Sequence, residues 1–503
     1  MTCGLNLSDT VIGDSCAFLP HLLFLLYTMV VGDIATGTDL VIVGAGPAGY
    51  VAAIRAGQLD LDVTLVEREH YGGVCLNHGC IPSKALISAT DVAQEAKEGE
   101  SIGVHAEPVI DMSQMVSWKD GVVDRLTSGV EQLCKANGVN LLEGTGEFAD
   151  ENTLRLLHDG EGQGAETIEF EQAIIATGSR PMEIPGFDFA DDPVLDSRQA
   201  LALDFVPKEL VIIGAGYIGM ELAGVLAKAG SKVHVLEMED QILPGYTEDL
   251  VRPVKRRADR LGIEFHLETT ATGWTAEDDG VVVEAESIDD GEITTLAAEN
   301  VLVAVGREPI TDTVNLEAIG IETDERGFIP TDEQMRTELD HIFAIGDVAG
   351  EPMLAHKGSA EGIVAAEVAA GEPAAADYQA IPAAVFTDPE IATVGMTETE
   401  AAEAGFDPVV GQFPFTASGR ALAANHSDGF VRIVADEASG FVLGGQIVGP
   451  EASELIAELG LAVEMGARLE DIAGTVHTHP TLAEAVMEAA EHALGKAIHT
   501  LNR

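Results

Sequence analysis

Two cysteines, Cys75 and Cys80, are separated by four residues in a segment that continues through Pro82 into an apolar run. A short turn of that length can bring the two sulfur atoms together, and proline suits the first turn of a following helix. A thiolate at the N-terminus of such a helix is stabilised by the helix dipole and becomes more reactive. The spacing permits a redox-active dithiol, a structural disulfide or half of a metal site, and it does not decide among them.

A glycine-rich turn precedes the cysteines and has the pattern of a dinucleotide-binding site. Residues 39–43 read as a buried strand that runs into Gly44, Gly46 and Gly49, and a helical pattern follows. Gly44 permits the tight turn, Gly46 lets the backbone approach a pyrophosphate, and Gly49 allows the helix to pack closely on the strand. The next predicted strand ends at Glu67, whose carboxylate is placed to accept hydrogen bonds from a ribose.

The same pattern recurs later in the chain, at Gly214, Gly216, Gly219 and Glu237, with a constant offset from the first copy. One such turn is a weak signal because glycine-rich turns also serve simple packing, but two copies with matching strands and acidic ends indicate two separate nucleotides. Glu237 favours NAD over NADP, since its carboxylate would repel a 2′-phosphate and no Lys or Arg follows from residue 238 to residue 245. Together with the cysteine pair, the two turns indicate a flavin-linked dithiol redox enzyme.

Length and composition narrow the function further. A chain of 503 residues is long enough for about three domains. Its five cysteines are too few for a secreted disulfide framework, so we expect a reducing cytoplasm. Asp and Glu total 85 against 27 Lys and Arg, and the formal net charge of −58 is spread along the chain, which would repel nucleic acid and anionic membranes. Because salt screens such self-repulsion, we interpret the acidity as adaptation to a salt-filled cytoplasm.

The first 37 residues differ from the rest of the chain and include an apolar stretch at residues 17–27. A signal peptide or membrane anchor is one interpretation, but no Lys or Arg occurs before Arg55 and the stretch is shorter than the ~20 residues of a membrane span. Met29 lies shortly before the first predicted strand. We therefore expect residues 1–37 to be a dispensable extension.

From about residue 38 to its C-terminus, the chain resembles the flavoprotein disulfide reductases. Four further segments match the pattern of that family, at residues 176–181, 305–309, 342–347 and 477–484. Residues 73–84 as a whole are most similar to the branch of the family that acts on lipoamide. Glutathione reductases usually carry arginines for NADP, and mercuric reductases have extra cysteines near the C-terminus, whereas this chain has none after Cys134.

The resemblance implies a fold and a domain order. The fold class is α/β, with two Rossmann-like domains that bind FAD and NAD and an α+β dimerisation domain at the C-terminus. The implied segments are an FAD domain at residues 38–180, an NAD domain at 181–308, a central segment at 309–380 that completes the FAD site, and a dimerisation domain at 381–503. The family builds each active site from two subunits, so we expect a homodimer.

The resemblance also implies roles for the residues that exchange thiols and protons. Cys75 would exchange with dihydrolipoamide, and Cys80 would leave as a thiolate against the flavin. His479 of the partner subunit would be the base, with Glu484 holding its orientation. A surface or packing histidine is one alternative for this residue, and a His-x-His metal site with His477 is another.

Further residues are implied to contact the cofactors. Lys84, one helical step beyond the dithiol, is similar to the family lysine near the reactive flavin nitrogen, and Glu221 matches its glutamate partner. An ordinary surface salt bridge is the alternative for this pair. The other expected cofactor contacts in these family segments are Thr177, Gly178, Gly306 and Asp347, the last at the ribityl chain of the flavin.

The implied activity is oxidation of protein-bound dihydrolipoamide to lipoamide, with FAD as the resident cofactor and NAD as the hydride acceptor. No metal site is expected. The lipoyl carrier would belong to a 2-oxoacid dehydrogenase complex, be a glycine-cleavage protein, or be a lone lipoylated domain. Two alternatives stay open, namely another FAD-dependent NAD(P)H disulfide reductase of the same family and a flavin-bound structural subunit. Retention of Cys75, Cys80, His479 and Glu484 argues against the structural subunit, since scaffolding requires none of them.

Overall fold

The computed structural model describes residues 35–158, 166–189, 193–277 and 280–502. The predicted apolar stretch at residues 17–27, with Cys3 and Cys16, lies outside these residues. The strands are β1 (Ala35–Val43), β2 (Val63–Glu67), β3 (Asn140–Glu143), β4 (Thr145–Asp150), β5 (Thr153–Leu157), β6 (Glu166–Ile175), β7 (Ser179–Pro181), β8 (Val194–Leu195), β9 (Glu209–Ile213), β10 (Lys232–Leu236), β11 (Glu264–His266), β12 (Thr269–Glu277), β13 (Gly280–Ser287), β14 (Ile293–Ala298), β15 (Asn300–Val303), β16 (Arg307–Pro309), β17 (Ile342–Ala344), β18 (Ala383–Val385), β19 (Glu390–Gly395), β20 (Pro408–Pro414), β21 (Phe430–Asp436) and β22 (Val442–Gly449). The α-helices are α1 (Pro47–Gln58), α2 (Gly73–His78), α3 (Cys80–Glu98), α4 (Met112–Ala136), α5 (Ser197–Leu201), α6 (Tyr217–Ala229), α7 (Glu248–Arg260), α8 (Ala355–Ala369), α9 (Glu398–Glu403), α10 (Gly419–Ala423), α11 (Ala452–Glu464), α12 (Leu469–Gly474) and α13 (Glu484–Ala493).

The first sheet has the strand order β3-β2-β1-β6-β5-β4, and β17 also pairs with β6. Strand β1 lies in parallel between β2 and β6, and its residues Leu40, Val41 and Ile42 are fully buried. Such a continuous aliphatic run is typical of a parallel strand that is covered on both faces. The strand begins at Ala35, inside the predicted extension, because residues 35–38 continue the pairing with β6. Strand β17 brings the central part of the chain back to this sheet.

The second sheet repeats the first on a smaller scale. Its strands are parallel, in the order β11-β10-β9-β15-β8, and the unit β9-α6-β10 repeats the unit β1-α1-β2. Both helices start directly after a glycine-rich turn, α1 with Pro47 at its first position. An antiparallel sheet, β12-β13-β14, packs its inner face against the second sheet through a shared apolar core.

The C-terminal part of the chain forms an antiparallel sheet in the order β18-β19-β22-β21-β20. Helices α11 and α13 bury apolar side chains against this sheet, and Ile433, Ile447 and Leu459 belong to the resulting core. The fold class predicted from the sequence, two Rossmann-like units and an α+β C-terminal unit, is therefore confirmed. Among the described residues, no helix combines the length and apolar character needed to cross a membrane.

Candidate active site in the dithiol cavity

A cavity of about 230 Å³ lies where the first glycine-rich turn, the start of α3 and the start of α6 meet. Ten of the residues singled out from the sequence line it: Gly44, Gly46, Glu67, Cys75, Cys80, Lys84, Thr177, Gly178, Glu221 and Asp347. Segments far apart in the chain are thus brought together around the cysteine pair. We refer to this space as the dithiol cavity.

The two cysteines occupy adjoining helix ends. Cys75 lies in the short helix α2, and Cys80 is the first residue of α3, with Pro82 in the first turn as the sequence predicted. Both are free thiols in this structure; Cys75 is partly buried, and Cys80 opens onto the cavity. The start of α3 therefore sets both cysteines at the cavity, and Cys80 is the more exposed of the two.

The local contacts divide the charge unequally between the two sulfurs. The hydrogen bond between the two side chains lowers the pKa of Cys80 to about 7, burial opposes this shift, and the positive charge of Lys84 reinforces it. The same hydrogen bond, together with burial, raises the pKa of Cys75 well above the usual value of a thiol. Cys80 is therefore the sulfur that carries the negative charge near neutral pH in the reduced pair.

The predicted pair of Lys84 and Glu221 is formed, and it is not an ordinary surface salt bridge. Lys84 Nζ lies 2.7 Å from Glu221 Oε2, and the glutamate side chain is only 4 % exposed. Glu221 also accepts hydrogen bonds from Ser83 Oγ at 3.0 Å and from the backbone N–H of Phe386 at 3.0 Å. The Lys84 ammonium lies 4.4 Å from the centre of the Phe386 ring. This cluster joins α3, α6 and the start of the C-terminal unit.

Asp347 also lines the cavity, and it has partners that were not expected from the sequence. Ser179 Oγ donates to Asp347 Oδ2 at 2.5 Å, and Arg307 Nε donates to Ser179 Oγ at 2.8 Å. Arg307 and Ser179 both lie in segments that matched the family pattern, which was the available signal. Tyr217, inside the second glycine-rich turn, also lines the cavity, and burial raises its pKa to about 12.

The two glycine-rich turns have the same shape. Gly44 has φ +103° and Gly214 has φ +101°, a conformation that side chains rarely adopt. A Cβ atom would lie 2.3 Å from the Ala176 carbonyl oxygen at Gly44 and 2.5 Å from that of Ala304 at Gly214. Both turns therefore exclude any side chain at their first glycine.

The second and third glycines of the two turns also have matching surroundings. A Cβ atom at Gly49 or Gly219 would overlap the carbonyl oxygen of the first glycine, at 1.9 Å and 2.1 Å. At Gly46 and Gly216 it would have no neighbour within 4 Å. Each turn thus packs its helix tightly and leaves bare backbone next to open space, as a dinucleotide phosphate requires.

The two acidic strand ends are held beside these turns. Glu67 accepts a hydrogen bond from the Ala45 N–H at 2.7 Å, and Glu237 accepts one from the Ala215 N–H at 2.7 Å. Each carboxylate keeps lone pairs for further donors. Each glycine-rich turn, together with its glutamate, therefore forms a cradle that fits a dinucleotide with its ribose at the glutamate. The residues that were singled out from the sequence but do not line the dithiol cavity include Gly49, Gly214, Gly216, Gly219, Glu237 and Gly306.

His479 and Glu484 form a pair that lies apart from the cavity. His479 Nδ1 is 2.9 Å from Glu484 Oε1, and the histidine side chain is 79 % exposed. Burial alone would raise the pKa of Glu484, but the Thr481 N–H and His479 hold it below its usual value. Neither His479 nor Glu484 lines the dithiol cavity of the same chain.

His477 has a different environment from His479. Its Nε2 is 2.8 Å from Glu458 Oε1, its Nδ1 is 2.9 Å from the Thr475 carbonyl oxygen, and its side chain is only 7 % exposed. The two histidines thus bind separate glutamates, Glu458 and Glu484. His477 holds the loop before α13.

Residues 38–362 match the family model described as pyridine nucleotide-disulphide oxidoreductase, and residues 381–490 match the dimerisation domain of that family. The chain is 67 % identical to the dihydrolipoyl dehydrogenase of Halobacterium salinarum and 66 % identical to that of Haloferax volcanii, in each case over 94 % of this chain and 100 % of the relative. It is also similar to the solved structure of the HOCl-induced flavoprotein disulfide reductase RclA from Escherichia coli, with 27 % identity, a TM-score of 0.80, and coverage of 90 % of this chain and 99 % of that one.

Proposed function

Since the chain belongs to the pyridine nucleotide-disulphide oxidoreductase family, we propose that it oxidises dihydrolipoamide on a carrier protein to lipoamide and passes the electrons to NAD. The observation that carries the proposal is the unequal cysteine pair. A thiol with a raised pKa and a second thiol with a pKa of about 7 share one hydrogen bond beside a cavity that contains the first nucleotide turn. Such a pair suits exchange at one sulfur and charge storage at the other.

Two cofactors fit the two cradles. FAD, when bound, would accept the electron pair of the dithiol and deliver it as hydride to NAD. Gly44, Gly46 and Glu67 would hold the dinucleotide part of FAD, with Thr177, Gly178, Lys84 and Asp347 on its flavin side. Gly214, Gly216, Gly219 and Glu237 would hold NAD, with Gly306 and Glu221 as further contacts.

The thiol exchange is carried by the chain's own residues. In the oxidised enzyme a thiolate of dihydrolipoamide attacks Cys75, the Cys75–Cys80 bond breaks, and Cys80 leaves as a thiolate. The second substrate thiol loses its proton to His479 and attacks the substrate sulfur bound to Cys75, so that lipoamide is released and Cys75 leaves as a thiolate. The Cys75 thiolate then takes up the proton held by His479. The positive charge of Lys84 and the hydrogen bond from Cys75 stabilise the thiolate that remains at Cys80.

His479 acts in this scheme on the cysteines of a second copy of the chain. Its side chain is exposed and does not line the cavity of its own chain, which supports this arrangement. Glu484 holds the imidazole and stabilises its charged form. The working protein is then a homodimer formed through the C-terminal unit, which matches the family's dimerisation domain.

The same proposal divides the chain as follows: an FAD domain at 38–180, an NAD domain at 181–308, a central segment at 309–380 and a dimerisation domain at 381–503. Support comes from β17 and α8, which belong to the central segment and yet pack with the first sheet and α1. The lipoyl carrier is that of a 2-oxoacid dehydrogenase complex or a glycine-cleavage protein. The formal charge of −58 and the halophilic source of two relatives support operation in molar salt.

The test is NAD reduction by dihydrolipoamide, measured on FAD-loaded protein in molar KCl. We expect rapid NADH formation that is lost in Cys80→Ser, because the disulfide can then no longer form. Cys134→Ala is the matched control, since Cys134 is buried in α4 and does not line the dithiol cavity, and it should keep the activity. Protein that binds FAD and oxidises NADH but does not respond to dihydrolipoamide would reject the lipoamide proposal in favour of another disulfide substrate of the family.

A further inference from the structure

A cluster of two histidines and a glutamate lies on the second sheet, outside the dithiol cavity. Strands β10 and β11 are parallel neighbours, with His234 opposite Glu264 and Leu236 opposite His266. Because side chains alternate along a strand, His234, Glu264 and His266 project from the same face of the sheet. Strand β11 is the edge strand, so the cluster lies where solvent reaches the side of the sheet.

The atoms of this cluster are spaced like the ligands of one metal ion. His234 Nδ1 lies 3.2 Å from His266 Nε2 and 3.3 Å from Glu264 Oε2. All three donor atoms lie within 4.8 Å of one another. In a tetrahedral site with metal–ligand bonds of about 2.1 Å, neighbouring ligand atoms are about 3.4 Å apart. Two of the distances between donor atoms in the cluster are therefore close to the distance expected between two ligands of one metal ion.

Hydrogen bonds among the three side chains do not account for all of their close contacts, whereas a bound cation would. A neutral His234 ring can donate from Nδ1 to only one acceptor at a time, yet this atom faces both a ring nitrogen and a carboxylate oxygen. A neutral imidazole has one ring nitrogen with a lone pair that can bind a cation. A cation between the three groups would satisfy all of them together.

The charged groups around the cluster do not prevent a cation from binding there. The side chain of His234 is 6 % exposed, whereas that of Glu264 is 54 % exposed, so the carboxylate is accessible from solvent. Lys232 is the nearby positive group, at 3.8 Å from Glu264 Oε1 and 3.7 Å from Glu209 Oε1. Its side chain is 47 % exposed and divided between two carboxylates, so it can turn to Glu209 when an ion binds.

We propose that His234 Nδ1, His266 Nε2 and Glu264 bind one divalent transition-metal ion of the Zn²⁺ or Co²⁺ type, with water in the remaining position. Two imidazoles and a carboxylate are a donor set that such ions prefer. The ion joins the edge strand β11 to the end of β10. It does so beside Glu237, whose backbone N–H donates to the His266 carbonyl oxygen at 2.9 Å.

The proposal is tested by Co²⁺ titration of the FAD-loaded, oxidised protein, followed by visible absorption beyond the flavin bands and by calorimetry with Zn²⁺. The oxidised form is used because a disulfide removes the thiolates that would compete for the metal. We expect one ion per chain and a tetrahedral Co²⁺ spectrum without thiolate charge-transfer bands. His266→Ala should weaken binding at least about tenfold, since even outer partners of metal ligands contribute that much.

Glu264→Gln provides a second variant, because this exposed residue can change without disturbing the core. It should weaken Zn²⁺ in the same direction. His426→Ala is the matched control, because His426 is exposed and no hydrogen bond of its side chain is observed within the described residues; this variant should bind metal like the unaltered chain. Unchanged affinity in both His266→Ala and Glu264→Gln would overturn the proposal, and so would a thiolate spectrum that disappears in Cys80→Ser.

Discussion

The dithiol cavity and the loop that holds His479 differ in how much of their environment one chain supplies. Around Cys80 the chain provides a charged partner, a hydrogen-bonded second sulfur and the walls of a cavity. Around His479 it provides one oriented hydrogen bond and leaves 79 % of the side chain exposed. His479, the proposed base, is thus oriented by its own chain but does not line the cavity of that chain. In the proposed mechanism, the fold of one chain builds the thiol site, and the assembly of two chains completes the proton site.

The largest expected effect is that of removing the base. His479→Gln should lower the kcat of dihydrolipoamide oxidation by about two to four orders of magnitude, the scale of a lost general base. Steady-state NADH production measures it. His499→Gln is the matched control, because His499 also pairs with a glutamate of α13, at 2.5 Å. If both variants turn over like the unaltered enzyme, His479 has no catalytic role.

A smaller effect is expected from the residue that holds the base. Glu484→Gln should lower kcat by about ten- to a hundredfold, the rate equivalent of one hydrogen bond to a charged group. Thermal unfolding in molar KCl is the control. A loss of kcat that is matched by a loss of folded protein at the assay temperature would mean that Glu484 serves folding and not the orientation of His479.

The next prediction concerns the dithiol cavity and the charge on Cys80. Its lowered pKa means that the thiolate persists down to a pH of about 7 and is lost as the pH falls through that value. Lys84→Gln should move this midpoint upward, although not to that of a free thiol, because the Cys75 hydrogen bond, the larger cause, remains. The thiolate absorbance of the reduced protein measures the midpoint, with Cys80→Ser as baseline.

Lys97→Gln is the control for that titration, because Lys97 is exposed on the same helix, far along α3 from the dithiol. A midpoint that is equal in Lys84→Gln and Lys97→Gln would show that the Lys84 charge does not act on Cys80.

The smallest effect on catalysis is expected at the neighbouring histidine. His477→Asn removes the bond to Glu458, whose side chain is 33 % exposed, and should lower the free energy of unfolding by about 1 kcal/mol, the usual net contribution of one hydrogen bond. Its kcat should fall far less than that of His479→Gln. Thermal unfolding and steady-state kinetics in molar KCl give both quantities, and a loss of kcat equal to that of His479→Gln would place His477 in the catalytic machinery.

Local patterns were sufficient to predict some parts of the site. The glycines of both turns are required by backbone geometry at single positions, so their spacing identified them. Cys75 and Cys80 are close in the chain, and a short turn is enough to bring them together. The contact between Lys84 and Glu221 spans a much longer separation and was expected only because both residues matched a family pattern.

Other parts depend on pairings that no local pattern contains. The cluster of His234, Glu264 and His266 exists because β11 pairs in parallel with β10 in one particular register, and a shift by one residue would turn the side chains to opposite faces. The contact of Ser179 with Arg307 likewise depends on the pairing of β7 with β16. The sequence pattern of a three-residue strand is too short to predict its partner.

The account is tested most directly by mixing two inactive chains. One carries Cys80→Ser and the other carries His479→Gln, each with a different affinity tag, so that mixed dimers can be isolated in molar KCl. If His479 serves the cysteines of the opposite chain, one of the two sites in each mixed dimer is intact, and about half of the unaltered activity returns. If His479 serves the cysteines of its own chain, both sites are damaged and the mixed dimers stay inactive, which would contradict the account.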